Sequence, residues 1–138
     1  MTDTVRTVTD LNTNYFQDGR APGSITPQDV RDGWLSAFSV YTTVQTSSYT
    51  AVLADMGTVV KMNLSGAGNF TIPPHASVTF PVGAQIGVRQ WGAGPITIVA
   101  GSGVTLLSPG SDATRAQYSL LLITQDSSNT WIVEGDSA

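Results

Sequence analysis

The sequence predicts a mainly β protein: an antiparallel β-sandwich or jelly-roll-like domain of about eight or nine short strands, preceded by an extended arm and one short α-helix. Apolar residues alternate with polar ones in segments such as 60–64 and 86–89, which is the period of half-buried strands. Clusters of Gly, Pro, Asp and Asn interrupt these segments at intervals of roughly ten residues. Charged residues make up only 12% of the 138 residues, which excludes charge-driven disorder and a long coiled coil.

Residues 1–24 are predicted to form an extended N-terminal arm. The segment is polar and turn-rich, and it shows no sustained periodicity, so it has too little apolar surface to fold alone. It is either a disordered terminus or an arm that becomes ordered on a partner. The adjacent aromatic residues Tyr15 and Phe16 favour the arm, because a disordered tail has little use for them.

A short helix and linker are predicted over residues 25–40. Thr26 suits the N-cap position, and Pro27 suits the first helical position, where no N–H is needed. Asp29 completes a capping-box pattern and complements the helix dipole. Ile25, before the cap, can pack on Val30 as a hydrophobic staple.

The predicted helix carries one apolar stripe, since Val30, Trp34 and Phe38 recur every four residues. Gly33 weakens the helix by about 1 kcal/mol relative to alanine, so the stripe must be stabilised by packing. Two arrangements are open: the stripe covers the end of the downstream β domain, or it packs against the same helix of neighbouring subunits or a larger assembly.

The β domain is predicted over residues 41–138. No internal repeat is clear in it, and the Gly-x-Gly pairs at 66/68, 92/94 and 101/103 are interpreted as hairpin glycines. The predicted strands are residues 50–54, 57–64, 69–72, 77–80, 84–91, 95–100, 104–107, 117–124 and 130–134.

The composition and motifs of the chain argue against catalysis, metal binding and nucleic-acid binding. The chain has no cysteine, a formal net charge of −4 and only six scattered lysines and arginines, which disfavours nucleic-acid binding. The lone histidine, His75, is interpreted as an exposed turn residue, and the sequence offers no paired carboxylates, nucleophile or metal-ligand spacing. We therefore expect no enzymatic activity, no cofactor and no metal. The longest apolar run, Leu120–Ile123, is far too short to span a membrane.

Trp91 and Trp131 admit two interpretations. Both occur in predicted strands and are expected to pack in the core. Aromatic side chains on a β surface can alternatively stack on sugars, and Trp91, at a strand end, can seal the sandwich or lie at a subunit boundary.

Two parts of the chain resemble appendage proteins of tailed bacteriophages. The segment 16–32, which includes Ile25-Thr-Pro-Gln-Asp-Val-Arg-Asp32, resembles a turn and helix start near the N-terminus of many such proteins. Segments 57–106 and 118–136, with Gln90-Trp-Gly-Ala-Gly-Pro95 among them, are similar to β domains of phage fibre, tail and capsid-surface proteins. The resemblance implies a virion structural protein, a homotrimer that attaches through its N-terminal part and presents its β domain outward.

The short length favours a capsid decoration or cement protein over a long fibre, because no shaft is present. Its expected partners are further copies of itself and the major capsid protein or another virion protein, with neither nucleic acid nor membrane, and its expected location is the virion after synthesis in the host cytoplasm. The alternative is a tail-fibre or receptor-binding tail protein that recognises a host glycan, for which an exposed aromatic cluster at Trp91 or Trp131 would be the discriminating feature. The candidate attachment and interface residues are Tyr15, Phe16, Ile25, Val30, Trp34, Phe38 and Trp91.

Overall fold

The computed structural model describes residues 42–138, which form nine β-strands and one short 3₁₀ helix, Leu53–Asp55, between the second and third strands. The predicted arm (1–24) and helix (25–40) lie outside the described residues, and so do Tyr15, Phe16, Ile25, Val30, Trp34 and Phe38. The strands are β1 (Thr42–Gln45), β2 (Tyr49–Thr50), β3 (Val59–Met62), β4 (Gly68–Ile72), β5 (Gln85–Gln90), β6 (Ile96–Ala100), β7 (Thr105–Leu107), β8 (Leu120–Ser127) and β9 (Thr130–Gly135).

The first seven strands alternate between two sheets, so this part of the chain winds in coils. β1, β3 and β5 pair in parallel within a six-stranded sheet, while β2, β4 and β6 pair in parallel as a three-stranded sheet. Each coil therefore adds one strand to each sheet, as in a short β-solenoid. The prediction of a mainly β domain is confirmed, but the expected antiparallel pairing is wrong: the larger sheet is mixed and the smaller one is parallel.

The second and third coils stack in constant register. Val60 pairs with Val88 in the larger sheet and Phe70 pairs with Ile98 in the smaller one, 28 residues further on in both cases. The segments 59–72 and 87–100 are thus equivalent along their whole length. They form a structural repeat of 28 residues, which the sequence pattern does not reveal.

A terminal hairpin completes the six-stranded sheet. β8 pairs antiparallel with β5 and with β9, and β7 pairs in parallel with β9, so the strand order is β1-β3-β5-β8-β9-β7. The hairpin occupies the place beside β5 where another coil would stack. Asn129, at the hairpin turn, has a φ of +62°, a left-handed conformation that asparagine tolerates.

The core combines side chains of both sheets in one cluster. Trp131 is 2% exposed and packs edge-to-face on Phe80, with ring centroids 5.3 Å apart. The buried apolar residues are Ala51, Val60, Met62, Leu64, Phe70, Ile72, Phe80, Ala84, Ile86, Val88, Ile96, Ile98, Leu121, Ile123, Trp131 and Val133.

The segment 77–80 is not a strand, contrary to prediction. The backbone N–H groups of Ser77 and Val78 both donate to the Pro74 carbonyl, at 2.8 and 3.1 Å, and this closes a turn. Phe80 is buried without belonging to a strand. Its burial explains the apolar pattern that suggested one.

Three further differences from the prediction concern β2, β8 and β1. The segment 50–54 contains only the end of β2, because the chain then enters the 3₁₀ helix. Residues 117–119 precede β8, and within this turn Tyr118 has a φ of +72°, which strand geometry excludes. β1 is not predicted by periodicity, since its one apolar residue, Val44, is exposed.

The two sheets have different outward faces. On the face opposite the core, the larger sheet presents six apolar side chains among polar and charged ones; the smaller sheet presents mostly polar ones. We call the first the apolar outer face after its apolar members, which are Val44, Val59, Leu107, Leu120, Leu122 and Ile132. Its polar and charged members are Lys61, Gln85, Arg89, Thr105, Thr124, Thr130 and Glu134. The corresponding polar positions of the smaller sheet are Thr50, Asn69, Thr71 and Thr97, with Val99 beside them.

Candidate functional site

An open cleft of about 490 Å³ lies where four loops meet at one edge of the larger sheet. The loops follow β1, β3 and β5 and precede β8. Parallel strands bring their carboxyl ends to the same edge, and the antiparallel β8 brings its amino end there. The cleft is lined by Thr46, Asn63, Leu64, Ser65, Trp91, Gly92, Ala93, Gln117 and Tyr118.

Backbone hydrogen bonds stack the loop after β5 on the loop after β3. The N–H groups of Trp91 and Gly92 both donate to the Met62 carbonyl, at 2.9 and 3.1 Å, and Gly94 N–H donates to Leu64 O at 2.9 Å. The parallel coils therefore continue into the loops that form the cleft.

Glycines permit this close stacking. A Cβ at Gly92 would overlap the Leu64 backbone, and a Cβ at Gly94 would overlap the Gly66 backbone. The interpretation of these residues as hairpin glycines is wrong, because the loops connect strands of different sheets; the same holds for Gly101 and Gly103. Gly92, Gly94 and Gly101 let one coil lie on the next, whereas Gly103 supplies a left-handed backbone with a φ of +76°.

A buried polar pair is hydrogen-bonded to one of the loops that line the cleft. Gln90 and Thr114 are almost fully buried, and the Thr114 hydroxyl donates to Gln90 Oε1 while accepting from Ile96 N–H at 2.9 Å. The Gln90 amide nitrogen donates to the carbonyls of Gly92 and Ala93, at 3.3 Å each. This pair thus links the core to the loop that carries Trp91.

Trp91 and Tyr118 form an exposed aromatic pair at the cleft. Their side chains are 39% and 61% exposed, and their rings lie 5.6 Å apart at an interplanar angle of 78°. The Lys61 ammonium lies 4.4 Å from the Trp91 ring centroid, a cation–π contact. Gln117 Nε2 donates to Trp91 O at 3.0 Å and joins the two loops.

Tyr118 holds its exposed ring on a strained backbone. Its φ of +72° lies in the left-handed region, which costs a non-glycine residue of order 1–3 kcal/mol. The conformation is fixed by the Tyr118 N–H, which donates to Gln90 O at 2.7 Å. Strain of this kind is concentrated at functional sites.

The loop before β8 is also tied to the end of β9. Arg115 Nε lies 2.6 Å from Asp136 Oδ1, and the Ser119 hydroxyl donates to Asp136 Oδ2 at 2.7 Å. The Arg115 guanidinium and the Ser119 hydroxyl lower the pKa of the Asp136 carboxyl. These contacts hold both ends of the segment that carries Gln117 and Tyr118.

Asp55 is the buried carboxylate of the 3₁₀ helix. It accepts hydrogen bonds from Val52 N–H at 2.8 Å and from the Tyr49 hydroxyl at 3.1 Å. Burial raises the pKa of Asp55, although both hydrogen bonds act to lower it. Burial and the nearby Asp55 charge raise the pKa of Tyr49 to about 12. These contacts anchor the connection from β2 to β3.

The structure separates the two tryptophans of the β domain. Trp131 is a core residue, as expected, whereas the core interpretation of Trp91 is wrong because its side chain reaches the surface. No pattern in the sequence indicates Tyr118, Gln117 or Lys61 as partners of Trp91. They become neighbours only through the coil stacking and the β5–β8 pairing.

His75 lies in a turn, as predicted, but it is half-buried. Its backbone N–H donates to Asn129 Oδ1 at 2.7 Å, and its Nδ1 has no hydrogen-bond partner in the described part of the chain. No group of three potential metal-ligating side chains occurs within residues 42–138. Within the same range, no helix has the length and apolar character needed to cross a bilayer.

Comparison with known proteins gives no relative. No family model matches the chain, and neither the curated proteins nor the solved structures include a significant match.

Proposed function

We propose that the chain is a virion structural protein of a tailed bacteriophage, a homotrimer that decorates and stabilises the capsid and performs no catalysis. The sequence resemblance supports the virion role and the trimeric state. The structural support is one observation, the apolar outer face of the larger sheet, which we take to be the surface through which copies associate.

The apolar outer face has the composition of a contact surface. Val44 and Leu107, at its two edges, are 56% and 50% exposed. Leu107 pairs with Ile132, whereas the charged residues Lys61 and Arg89 lie between Val44 and the next aliphatic side chain in its row. Gly87 lies within the face, and Val59 and Leu120 approach each other over it. Exposed aliphatic side chains of this kind on a small domain favour association with another surface.

This face also carries charges of both signs, with Lys61 beside Arg89 on the neighbouring strand. Arg89 projects from β5, and its Nε is buried without a hydrogen-bond partner among the described residues. Glu134 projects from β9, two strands away, and is exposed. A second copy can bring its Glu134 to this Arg89, which would satisfy the buried donor.

Charge exchange tests the association directly. Sedimentation velocity on the intact chain should show that Arg89→Glu and Glu134→Arg each reduce the assembled fraction. The double variant should restore it, because the pair is re-formed with reversed signs. If the double variant is no better than either single variant, the two residues do not meet across an interface.

Particle binding tests the location. Particles that lack the protein should bind the purified chain in hundreds of copies and then withstand heating better than undecorated particles. Deletion of residues 1–24 should abolish binding, since the arm is the proposed attachment segment. Binding of only a few copies, at the tail, would instead support the alternative of a receptor-binding tail protein.

That alternative is favoured by one observation, the exposed pair of Trp91 and Tyr118. An exposed aromatic cluster is what recognition of a host glycan requires of this domain. Loss of phage adsorption in Trp91→Ala particles that still assemble would support the tail protein over the capsid protein.

A further inference from the structure

We propose that the cleft between Trp91 and Tyr118 is a saccharide-binding site that prefers acidic sugars to neutral ones. The inference does not depend on where the protein is located in a virion or on its oligomeric state. It rests on the cleft's aromatic rings, its polar lining and the position of Lys61.

The two rings form a corner suited to a sugar ring. They are nearly perpendicular, at 78°, so a pyranose that stacks on one ring meets the other at its rim. The faces of aromatic rings carry partial negative charge and attract the C–H groups of a sugar. The left-handed backbone at Tyr118 holds its aromatic ring in solvent at the cleft.

The other side chains that line the cleft offer polar groups that can hydrogen-bond the hydroxyls of a sugar. Thr46, Asn63 and Ser65 are exposed, and their side chains make no hydrogen bond with another described residue. Gln117 uses an amide N–H on Trp91 O, which leaves its side-chain oxygen as an acceptor. At about 490 Å³, the open cleft falls within the size range of small-molecule sites, and its aromatic platform lies beside several polar groups.

Lys61 gives the site its charge preference. Lys61 is not itself one of the nine residues that line the cleft, but its ammonium lies over the ring of Trp91, which is. None of the nine carries a carboxylate. A ligand with a carboxylate on the sugar ring therefore gains an attraction that a neutral sugar lacks. The missing carboxylates also leave this lining without the acid and base that glycoside hydrolysis requires, so the site would bind without cleaving.

Two-dimensional ¹H–¹⁵N NMR of the intact chain tests the proposal, because each of its three tryptophans has one indole N–H signal. The probes are trigalacturonate against its methyl ester and 3′-sialyllactose against lactose, each titrated to about 20 mM. We expect at least one acidic probe to shift the Trp91 signal, with an affinity at least threefold above that of its neutral counterpart. The buried Trp131 signal should stay in place and serves as the internal reference.

Three variants and a control complete the experiment. Trp91→Phe identifies the indole signal, Tyr118→Ala should weaken binding at least fivefold, and Lys61→Gln should remove the preference for the acidic probe. Val82→Ala, at the opposite end of β5, changes an exposed apolar residue and should leave binding unchanged. The proposal is overturned if no acidic probe shifts Trp91 more than its neutral partner, or if Lys61→Gln leaves the preference intact.

Discussion

Trp91 and Tyr118 lie edge-to-face at 5.6 Å, although they are 27 positions apart in the chain. Trp91 ends β5 and Tyr118 precedes β8, so the antiparallel pairing of these strands brings the two rings together. Such a pair contributes about 0.5–1.5 kcal/mol beyond its buried area. Because both rings remain exposed, a change in either should affect the cleft much more than the fold.

The left-handed backbone of Tyr118 predicts an unusual order of stability between two variants. Tyr118→Gly and Tyr118→Ala both remove the ring, but only glycine adopts a φ of +72° without strain. We expect the glycine variant to be more stable by about 1 kcal/mol. Urea denaturation measures the difference. A more stable alanine variant, as found at ordinary positions, would show that this backbone conformation is wrong.

The stacked loops predict that two neighbouring glycines respond oppositely to alanine. A Cβ at Gly94 overlaps the Gly66 backbone, whereas a Cβ at Gly66 meets nothing within 4 Å. Gly94→Ala should therefore lower the free energy of unfolding by about 3 kcal/mol or more, and Gly66→Ala should change it by less than about 0.5 kcal/mol. Thermal denaturation of both variants provides the comparison, and equal effects would contradict the parallel stacking of the two coils.

The buried Gln90–Thr114 pair predicts a core defect that reaches the cleft. Thr114→Val removes the hydroxyl that donates to Gln90 Oε1 and accepts from the Ile96 N–H. Both groups are then left unpaired, which should lower the free energy of unfolding by about 2 kcal/mol. Thr97→Val, an exposed position on β6, is the matched control and should be nearly neutral. Chemical denaturation gives the stabilities, and the Trp91 indole signal should move in the Thr114 variant alone.

Tyr49 predicts a loss of stability in strong alkali. Its folded pKa of about 12 lies above the ordinary value of 10.0, so the folded state holds the proton more tightly. The contribution of protonated Tyr49 to the free energy of unfolding is complete below pH 10, and it is lost as the pH rises towards about 12. Stability measured over that range should fall more steeply in the native chain than in Tyr49→Phe. Asp55→Asn should lower the pKa of Tyr49 only in part, since burial remains.

The strand positions were largely predictable because period-two alternation reflects burial on one face. Ile86, Val88 and Val133 all face the core as their spacing predicts. Alternation does not reveal a strand's partner, since the same pattern suits parallel and antiparallel neighbours. The signal for coiling was present as the equivalence of Val60-Lys61 with Val88-Arg89, each followed five residues later by glycine. It is weak because the intervening residues differ.

The candidate site was predictable only at Trp91. Its position before a Gly-Ala-Gly-Pro turn identified a strand end, where a side chain can leave the core. Tyr118 gave no such signal, because its alternation with Leu120 and Leu122 is also that of a strand. Its exposure follows from the left-handed turn, which depends on the hydrogen bond to Gln90 O across the sheet. Contacts between residues this far apart in the chain are determined by the fold and not by the local sequence.

The molar mass of the intact chain tests the central claim, that copies associate through the apolar outer face. Light scattering at micromolar concentration should give three times the chain's 14.5 kDa. Leu122→Lys, on that face, should reduce the mass to one chain, while Val99→Lys, on the outward face of the smaller sheet, should leave the trimer intact. A monomeric native chain, or a trimer that survives Leu122→Lys, would contradict the account.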